Sequence, residues 1–456
     1  MPEKTTYILG AGASKAAYLP TQAELLPLIF SLRPNGKSDI KESDDFLSLE
    51  LNDKRERILE LYPVFDEYRQ KLGDFIVHNF ASAEKVNQYR VAIGYAQHLI
   101  EMDANTVQAR EEFLFKAYDV AKKVNVTLED LFTIFDNVAA GREHFRLYSP
   151  ENMISMHNQL KLCIIYALIY SIATSCDTNT YRNFAKNLVE LRLATSQKDD
   201  TLSIITMNWD DLLEQSLYEL CNEYNSGLTK NQQRIFPDLC FYNYDLSNRK
   251  DHMPSTHIKA KGHKNIKVLK MHGSLSWLEC PKCRRIYTDF SREIALDELK
   301  QVKCPKCKSD GFEGEDPKLR SLIITPTFMK SLDNLNIKNI WQNAFIDISE
   351  SDHLIFIGYS FPDADFEMRC LLKKAVKSTA DVTVVLDESN NPQKYINNLM
   401  SKGFLIEETN QLVNRLWLPA SRYKSFFGED RVKFIYDGFE KYIELMGEEF
   451  DEKKRN

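Results

Sequence analysis

Four cysteines carry the plainest chemistry in this chain. Cys280-Pro281-Lys282-Cys283 and Cys304-Pro305-Lys306-Cys307 repeat one Cys-x-x-Cys turn, with 20 residues (284–303) between them. Four thiolates so spaced suit a closed tetrahedral zinc ribbon, and a closed site leaves no open position for a reactant, so the Zn2+ is expected to be structural. A second candidate is Tyr7-Ile8-Leu9-Gly10-Ala11-Gly12-Ala13-Ser14-Lys15, an apolar run that ends in a Gly-x-Gly turn and opens into a helix. Glycines let backbone N–H groups approach a phosphate, and a helix N-terminus favours the anion. The third glycine of the dinucleotide fingerprint is missing, and many buried strands end in the same way. Further polar groups follow later apolar runs: Asn208 and Asp210, His272-Gly273-Ser274, Gly358-Tyr359-Ser360, and Asp387. Asn208 and Asp210 could instead cap the helix that follows them. Asp363 and Asp365, after Pro362, read as capping residues.

The elements that must position these groups alternate. Thr5–Gly12, Leu202–Thr206, Val268–Met271, Leu322–Thr325, Leu354–Gly358 and Val382–Asp387 are short and almost wholly apolar, with helical stretches between them. Such a pattern predicts an α/β fold with a mostly parallel, doubly wound, Rossmann-like sheet, whose ligands bind beyond the carboxyl ends of the strands. Between about Leu25 and Ser196 the apolar spacing becomes helical, as in Val91, Tyr95, His98, Leu99 and Met102, or Leu128, Leu131, Phe132 and Phe135. Thr127-Leu128-Glu129-Asp130 reads as a capping box. The stretch is a large helical insert whose aromatic residues are expected in its core and whose histidines (His78, His98, His144, His157) are not expected to be ligands. The resulting division is 1–24 for the first part of the core, 25–197 for the insert, and 198–278 for the second part of the core. The zinc ribbon takes 279–312, the third part of the core with a C-terminal helix over Val432–Met446 takes 313–447, and a charged tail takes 448–456.

Composition narrows the rest. A net charge of −7 gives no general attraction to nucleic acid or to an anionic membrane. The basic stretch Arg249–Lys270, with seven Lys/Arg and three His against one Asp, leaves only a minor nucleic-acid contact open. The longest apolar run, Cys163–Ala173, is half of the roughly 20 residues that span a bilayer. Nine cysteines, four of them in metal-type pairs, and an N-terminus without a signal pattern predict a cytoplasmic protein.

Taken in order, Gly10-Ala11-Gly12-Ala13-Ser14, Thr206-Met207-Asn208-Trp209-Asp210, His272-Gly273-Ser274, the two cysteine pairs and Gly358-Tyr359-Ser360 resemble the sirtuin superfamily. His272 stands eight residues before Cys280, a spacing similar to the family's. The resemblance implies an NAD+ site between a Rossmann-like domain and a zinc-bearing small domain. By the same resemblance Gly10, Ala11, Gly12 and Ser14 would hold the pyrophosphate, and Asn208 would position a water and the nicotinamide ribose. Asp210 would hold the carboxamide, and His272 would be the general base toward the ribose hydroxyls. Gly358 and Ser360 would line the phosphate and adenosine side, and Asp387 would accept from a ribose hydroxyl.

The chain also departs from the family's protein deacylases. Leu19-Pro20-Thr21-Gln22-Ala23 lacks the Asp, Phe and Arg of their Ile-Pro-Asp-Phe-Arg run, and Met207 replaces their Gln. Ile324–Lys330 stands where they carry a peptide-pairing Phe-Gly-Glu stretch, and Pro326 has no N–H to donate to an added strand. The 193 residues 13–205 exceed what a compact deacylase needs. This combination is similar to the bacterial sirtuin-like proteins that hydrolyse NAD+ in antiphage defence. It implies an NAD+ glycohydrolase, a homo-oligomer formed through the insert, and a defence partner protein or phage trigger. An NAD-dependent deacylase or ADP-ribosyltransferase, and a non-catalytic NAD/ADP-ribose sensor, are the alternatives.

Overall fold

The computed structural model of the chain describes residues 3–32, 47–80, 126–229, 232–239, 242–245, 254–256, 263–288, 294–309, 317–330, 332–387 and 419–455. The periodic run from Val91 to Met102, and residues 249–253 and 257–262 of the basic stretch, lie outside them. The strands described are β1 (Thr5–Leu9), β2 (Leu202–Thr206), β3 (Ile235–Asp238), β4 (Tyr242–Asp245), β5 (Pro254–Thr256) and β6 (Lys264–Lys270). They continue with β7 (Gly273–Glu279), β8 (Ile286–Thr288), β9 (Arg320–Ile323), β10 (His353–Ile357), β11 (Asp381–Val385) and β12 (Val432–Ile435). The chain separates into two units: Met1–Tyr18, Asp177–Ile324 and Ser331–Asn456 form the first, and Leu19–Cys176 with Thr325–Lys330 form the second.

The first unit is built on a seven-stranded sheet in the order β12-β11-β10-β1-β2-β6-β3, parallel throughout. Ile8, Ile204, Val268 and Phe356 are fully buried, as strands covered on both faces require. The chain adds strands on one side of β1 and later on the other. The carboxyl ends of β1 and β10 therefore meet where the winding reverses, with Leu9 opposite Ile357 on one side and Thr206 on the other. The helix Asn179–Ala194 belongs to this unit, against the sequence expectation that the insert runs to 197; its Phe184 packs edge-on against Tyr7 of β1. A backbone hydrogen bond from Asp177 N to Ala17 O, 3.2 Å, joins the points where the chain leaves and re-enters the unit.

Two expected elements fall elsewhere. Leu322–Thr325 does not join the parallel sheet: β9 lies at the edge of a second sheet, β5-β4-β8-β7-β9, and pairs antiparallel with β7. An apolar run reads alike in either setting, and only the partner decides. Val432 opens β12 rather than a helix, and the last helix is Gly438–Arg455, continuing through most of the charged segment. Behind the cysteine knuckles, Leu278, Tyr287, Ile294 and Leu319 pack with the cysteines into a small core.

The second unit is helical, with helices Gln22–Ser31, Leu47–Phe80, Leu128–Gly141 and Pro150–Ser175 among the described residues. The capping box forms as read from the sequence: Asp130 N donates to Thr127 Oγ1 at 3.1 Å and Thr127 N to Asp130 Oδ2 at 2.9 Å. Leu131, Phe132 and Phe135 are buried, and Phe65 stacks on Tyr166 at 4.2 Å. Thr325–Lys330 is held within this unit: Phe328 N donates to Thr133 Oγ1 at 3.3 Å, and His157 Nε2 lies 3.3 Å from Thr325 Oγ1. Among the described residues no single helix is long and apolar enough to cross a membrane.

Candidate active site and zinc centre

Three of the expected residues meet beyond the carboxyl ends of β1 and β2. Ser14 Oγ donates to Asp210 Oδ2 at 2.8 Å and accepts from Asn208 Nδ2 at 2.8 Å. All three side chains are buried. Tyr181, from the helix Asn179–Ala194, adds its hydroxyl 2.9 Å from Ser14 Oγ and 3.4 Å from Asn208 Nδ2. Tyr181 lies in the stretch that reads as insert, where an aromatic residue is expected to pack in the core. Asn208 N donates to Thr206 Oγ1 at 3.1 Å, which turns the chain at the end of β2. Asn208 Oδ1 is buried without a hydrogen-bond partner among the described residues. A buried amide oxygen left so is costly unless a water or ligand donates to it.

The layer beneath is ionic. Lys270 Nζ, at the end of β6, lies 2.7 Å from Glu214 Oε1 and 3.3 Å from Asp211 Oδ1, and donates to Asp210 O at 2.5 Å. Ser274 and Ser276 donate their hydroxyls to the two oxygens of Asp211. Burial disfavours the Lys270 ammonium, but Glu214, Asp211 and Asp210 outweigh it and hold it above its ordinary pKa. Burial raises Asp210 above the ordinary carboxylate range, with Lys270 and the Ser14 hydroxyl opposing it. The cluster is thus a fixed acceptor set on a cationic base.

His272 follows β6. Its Nε2 lies 3.7 Å from Asp365 Oδ1, and its ring lies 6.5 Å from that of Trp341, whose Nε1 donates to Met271 O at 3.1 Å. Asp365 begins the helix Phe366–Ala375, but its side chain makes no cap bond to it; Oδ2 accepts from Tyr359 OH at 2.8 Å. The expectation that Asp365 serves as a cap is therefore replaced by a buried carboxylate between Tyr359 and His272. Asp363 instead pairs with Arg369 at the surface.

The glycines of the turn serve backbone approach. A Cβ on Gly10 would lie 2.6 Å from Tyr359 Cα, and one on Gly12 would lie 2.7 Å from Gly358 O. Gly358 has φ +59°, and a Cβ there would run into the backbone of Gly12 and Ala13. Gly10 N donates to Ile357 O at 3.0 Å and Gly12 N to Gly358 O at 2.8 Å. Those two N–H groups are engaged within the protein, so the turn would meet a phosphate through other atoms. Ala11, between them, is half-buried at the start of the short helix Ala11–Lys15. Ser360 and Asp387 are exposed past β10 and β11.

The four cysteines converge. Their Sγ atoms all lie within 4.8 Å of one another, with Cys280–Cys307 and Cys283–Cys304 each at 3.7 Å. A tetrahedron with Zn–S near 2.3 Å has S···S edges of about 3.8 Å, so the thiolates present fit Zn2+. Tyr287 OH, 3.1 Å from Cys304 Sγ, supplies an outer contact of the kind that orients a ligand. Asp200, Asp347 and Glu350 also converge, but Lys4 Nζ lies at 2.8, 2.7 and 2.9 Å from them and takes the place of a cation.

Comparison with solved structures gives loose likenesses. One is a SIR2 in complex with an inhibitor, 2′-O-acetyl-ADP-ribose and a deacetylated p53 peptide, at 11% identity and TM-score 0.32, covering 98% of this chain and 93% of that one. Another is a Sir2–p53 peptide–NAD+ complex, at 12% identity and TM-score 0.28, covering 84% and 80%. A third, described under the mechanism and regulation of Sir2 enzymes, has 13% identity and TM-score 0.33, covering 72% and 100%. No curated protein matches the chain significantly. Residues 202–405, which carry Asn208, Asp210, His272, the four cysteines and Gly358, match the family model of the SIR2-like domain, and this supports the sirtuin superfamily.

Proposed function

We propose that this protein is an NAD+ glycohydrolase that cleaves NAD+ to nicotinamide and ADP-ribose. The SIR2-like match supports NAD-dependent chemistry of the sirtuin type. The observation that carries the hydrolytic reading is the buried cluster whose one unanswered atom is an acceptor, Asn208 Oδ1. Breaking the nicotinamide–ribose bond leaves its electron pair on a neutral nicotinamide and builds positive charge at the ribose carbon. A carboxylate and an amide oxygen stabilise that charge and hold a water against it. The water oxygen bonds to the ribose carbon, and its proton passes to His272, whose imidazole Asp365 faces. The closed four-thiolate site serves stability.

Hydrolysis is favoured over peptide deacylation by Thr325–Lys330. Pro326 lacks an N–H, Thr327 N bonds Thr325 O at 3.0 Å, Phe328 N bonds Thr133 Oγ1 at 3.3 Å, and Met329 N bonds Thr327 Oγ1 at 3.1 Å. No run of donors remains there for an added peptide strand. The role that best suits such an enzyme is depletion of NAD+ in bacterial antiphage defence, with the helical unit serving oligomerisation or a trigger. The test follows nicotinamide and ADP-ribose release by purified protein without peptide. Equal release of both, lost in Asn208→Ala and His272→Ala with the fold intact, is the expected result. Turnover retained in both variants, or appearing only with an acyl-peptide or an ADP-ribose acceptor, overturns the reading; tight nucleotide binding without turnover indicates a sensor.

A further inference from the structure

Tyr181 has no part in the chemistry above, yet its hydroxyl lies inside the buried cluster, and the protons there can be assigned. Ser14 donates to Asp210 Oδ2, 2.8 Å away, and so spends the single proton of its hydroxyl there. Ser14 Oγ then offers only lone pairs to Asn208 Nδ2 at 2.8 Å and to Tyr181 OH at 2.9 Å. Tyr181 therefore donates to Ser14 and turns a lone pair toward Asn208 Nδ2 at 3.4 Å. Both protons of the Asn208 amide nitrogen meet acceptors. Rotating the amide by half a turn would set Oδ1 against two oxygens whose protons point elsewhere, a buried repulsion with nothing to offset it. The Tyr181 ring is held by Phe439, edge to face at 5.8 Å, so the hydroxyl is fixed in place.

We propose that Tyr181 is a positioning residue: with Ser14 it locks the Asn208 amide nitrogen-inward and so presents Oδ1 as the acceptor at the reacting centre. The inward lock stands on the hydrogen bonds alone; its effect on rate rests on the hydrolase reading. Tyr181→Phe keeps the ring and removes the proton that fixes the network. It should lower kcat for NAD+ hydrolysis by about tenfold, the worth of one buried hydrogen bond, with KM within about twofold.

A second readout needs no turnover. In protein labelled with 15N-asparagine, the Asn208 side-chain amide is identified by its disappearance in Asn208→Ala. In Tyr181→Phe one of its two protons should exchange with solvent about tenfold faster while the other stays protected. Unchanged exchange of both protons overturns the lock. Altered exchange with unchanged kcat overturns its catalytic consequence. If the wild-type protein hydrolyses no NAD+, the amide spectrum alone decides the Tyr181 assignment.

Discussion

Replacing Gly358 by alanine tests the contact on which the site's first strand depends. Two separate costs can be worked out. At φ +59° a residue with a Cβ loses about 1–2 kcal/mol relative to glycine. The added methyl would also meet the backbone of Gly12 and Ala13, with Gly12 Cα at 2.8 Å, and forcing a group into a closed contact costs about 1–3 kcal/mol. The sum is about 2–5 kcal/mol. The chain holds its own controls. Gly428 has φ +98° and ψ 144°, a positive-φ extended conformation that favours glycine, and nothing within 4 Å of a Cβ, so Gly428→Ala should show a backbone cost alone, about 1–3 kcal/mol. Gly447, inside the last helix with equally open surroundings, should tolerate alanine or gain about 0.5–1 kcal/mol. Denaturant midpoints of the three variants should rank Gly447→Ala, Gly428→Ala, Gly358→Ala from most to least stable. Ser14 is two residues beyond Gly12, so on the proposed hydrolase reading NAD+ turnover of folded Gly358→Ala should fall as well. A Gly358 variant no less stable than the Gly428 variant would refute the backbone contact between the turn and β10.

Other perturbations have equally definite outcomes. Metal analysis should find one Zn2+ per chain, and cobalt exchange should give the absorption of a tetrahedral four-thiolate site; Cys283→Ser should lose the metal and destabilise the fold, and a metal-free native protein would dismiss the site. Lys270→Met should cost about 3–5 kcal/mol, because it leaves Asp211 and Glu214 buried without their cation, and Glu214→Gln should recover part of that; a loss under about 1 kcal/mol in thermal unfolding would show the pair to be solvated. Asp136 is pushed by burial to about 6, above its ordinary value, against the Thr327 hydrogen bond. Its folded form binds the proton more tightly than the unfolded chain, so stability declines as pH rises from about 4 to 6. Asp136→Asn should therefore stabilise the helical unit at pH 8 more than at pH 5, and an equal shift of midpoint at both would remove Asp136 as the cause.

Much of the parallel sheet was legible because strands buried on both faces are written as uninterrupted apolar runs, as in Ile204-Ile205 and Ile355-Phe356-Ile357. The same property misled at Leu322, where the run belongs to the ribbon sheet, since composition records burial and not the neighbour. The cysteine cluster was legible from spacing, because a knuckle needs only four residues of local chain. Ser14, Asn208 and Asp210 could be proposed from short motifs, yet their meeting depends on the pairing of β1 with β2. Tyr181 and Asp365 were not legible. One reads as an ordinary aromatic on an amphipathic helix and the other as a helix cap, and only packing turns their polar atoms toward Asn208 and His272.

The hydrogen bond between Asp177 N and Ala17 O bears on the order in which this chain folds. Closing a loop grows more costly with its length by about 0.6 kcal/mol per doubling, and β1 must find β2 across residues 10–201. If the helical unit condenses first, it delivers Ala17 and Asp177 to within one backbone hydrogen bond, and to the sheet the long detour becomes a tight turn. Formation of the Ser14–Asn208 contact would then wait on the helical unit during synthesis. Lesions in the core of that unit should appear as slow or failed folding of the chain rather than as altered chemistry.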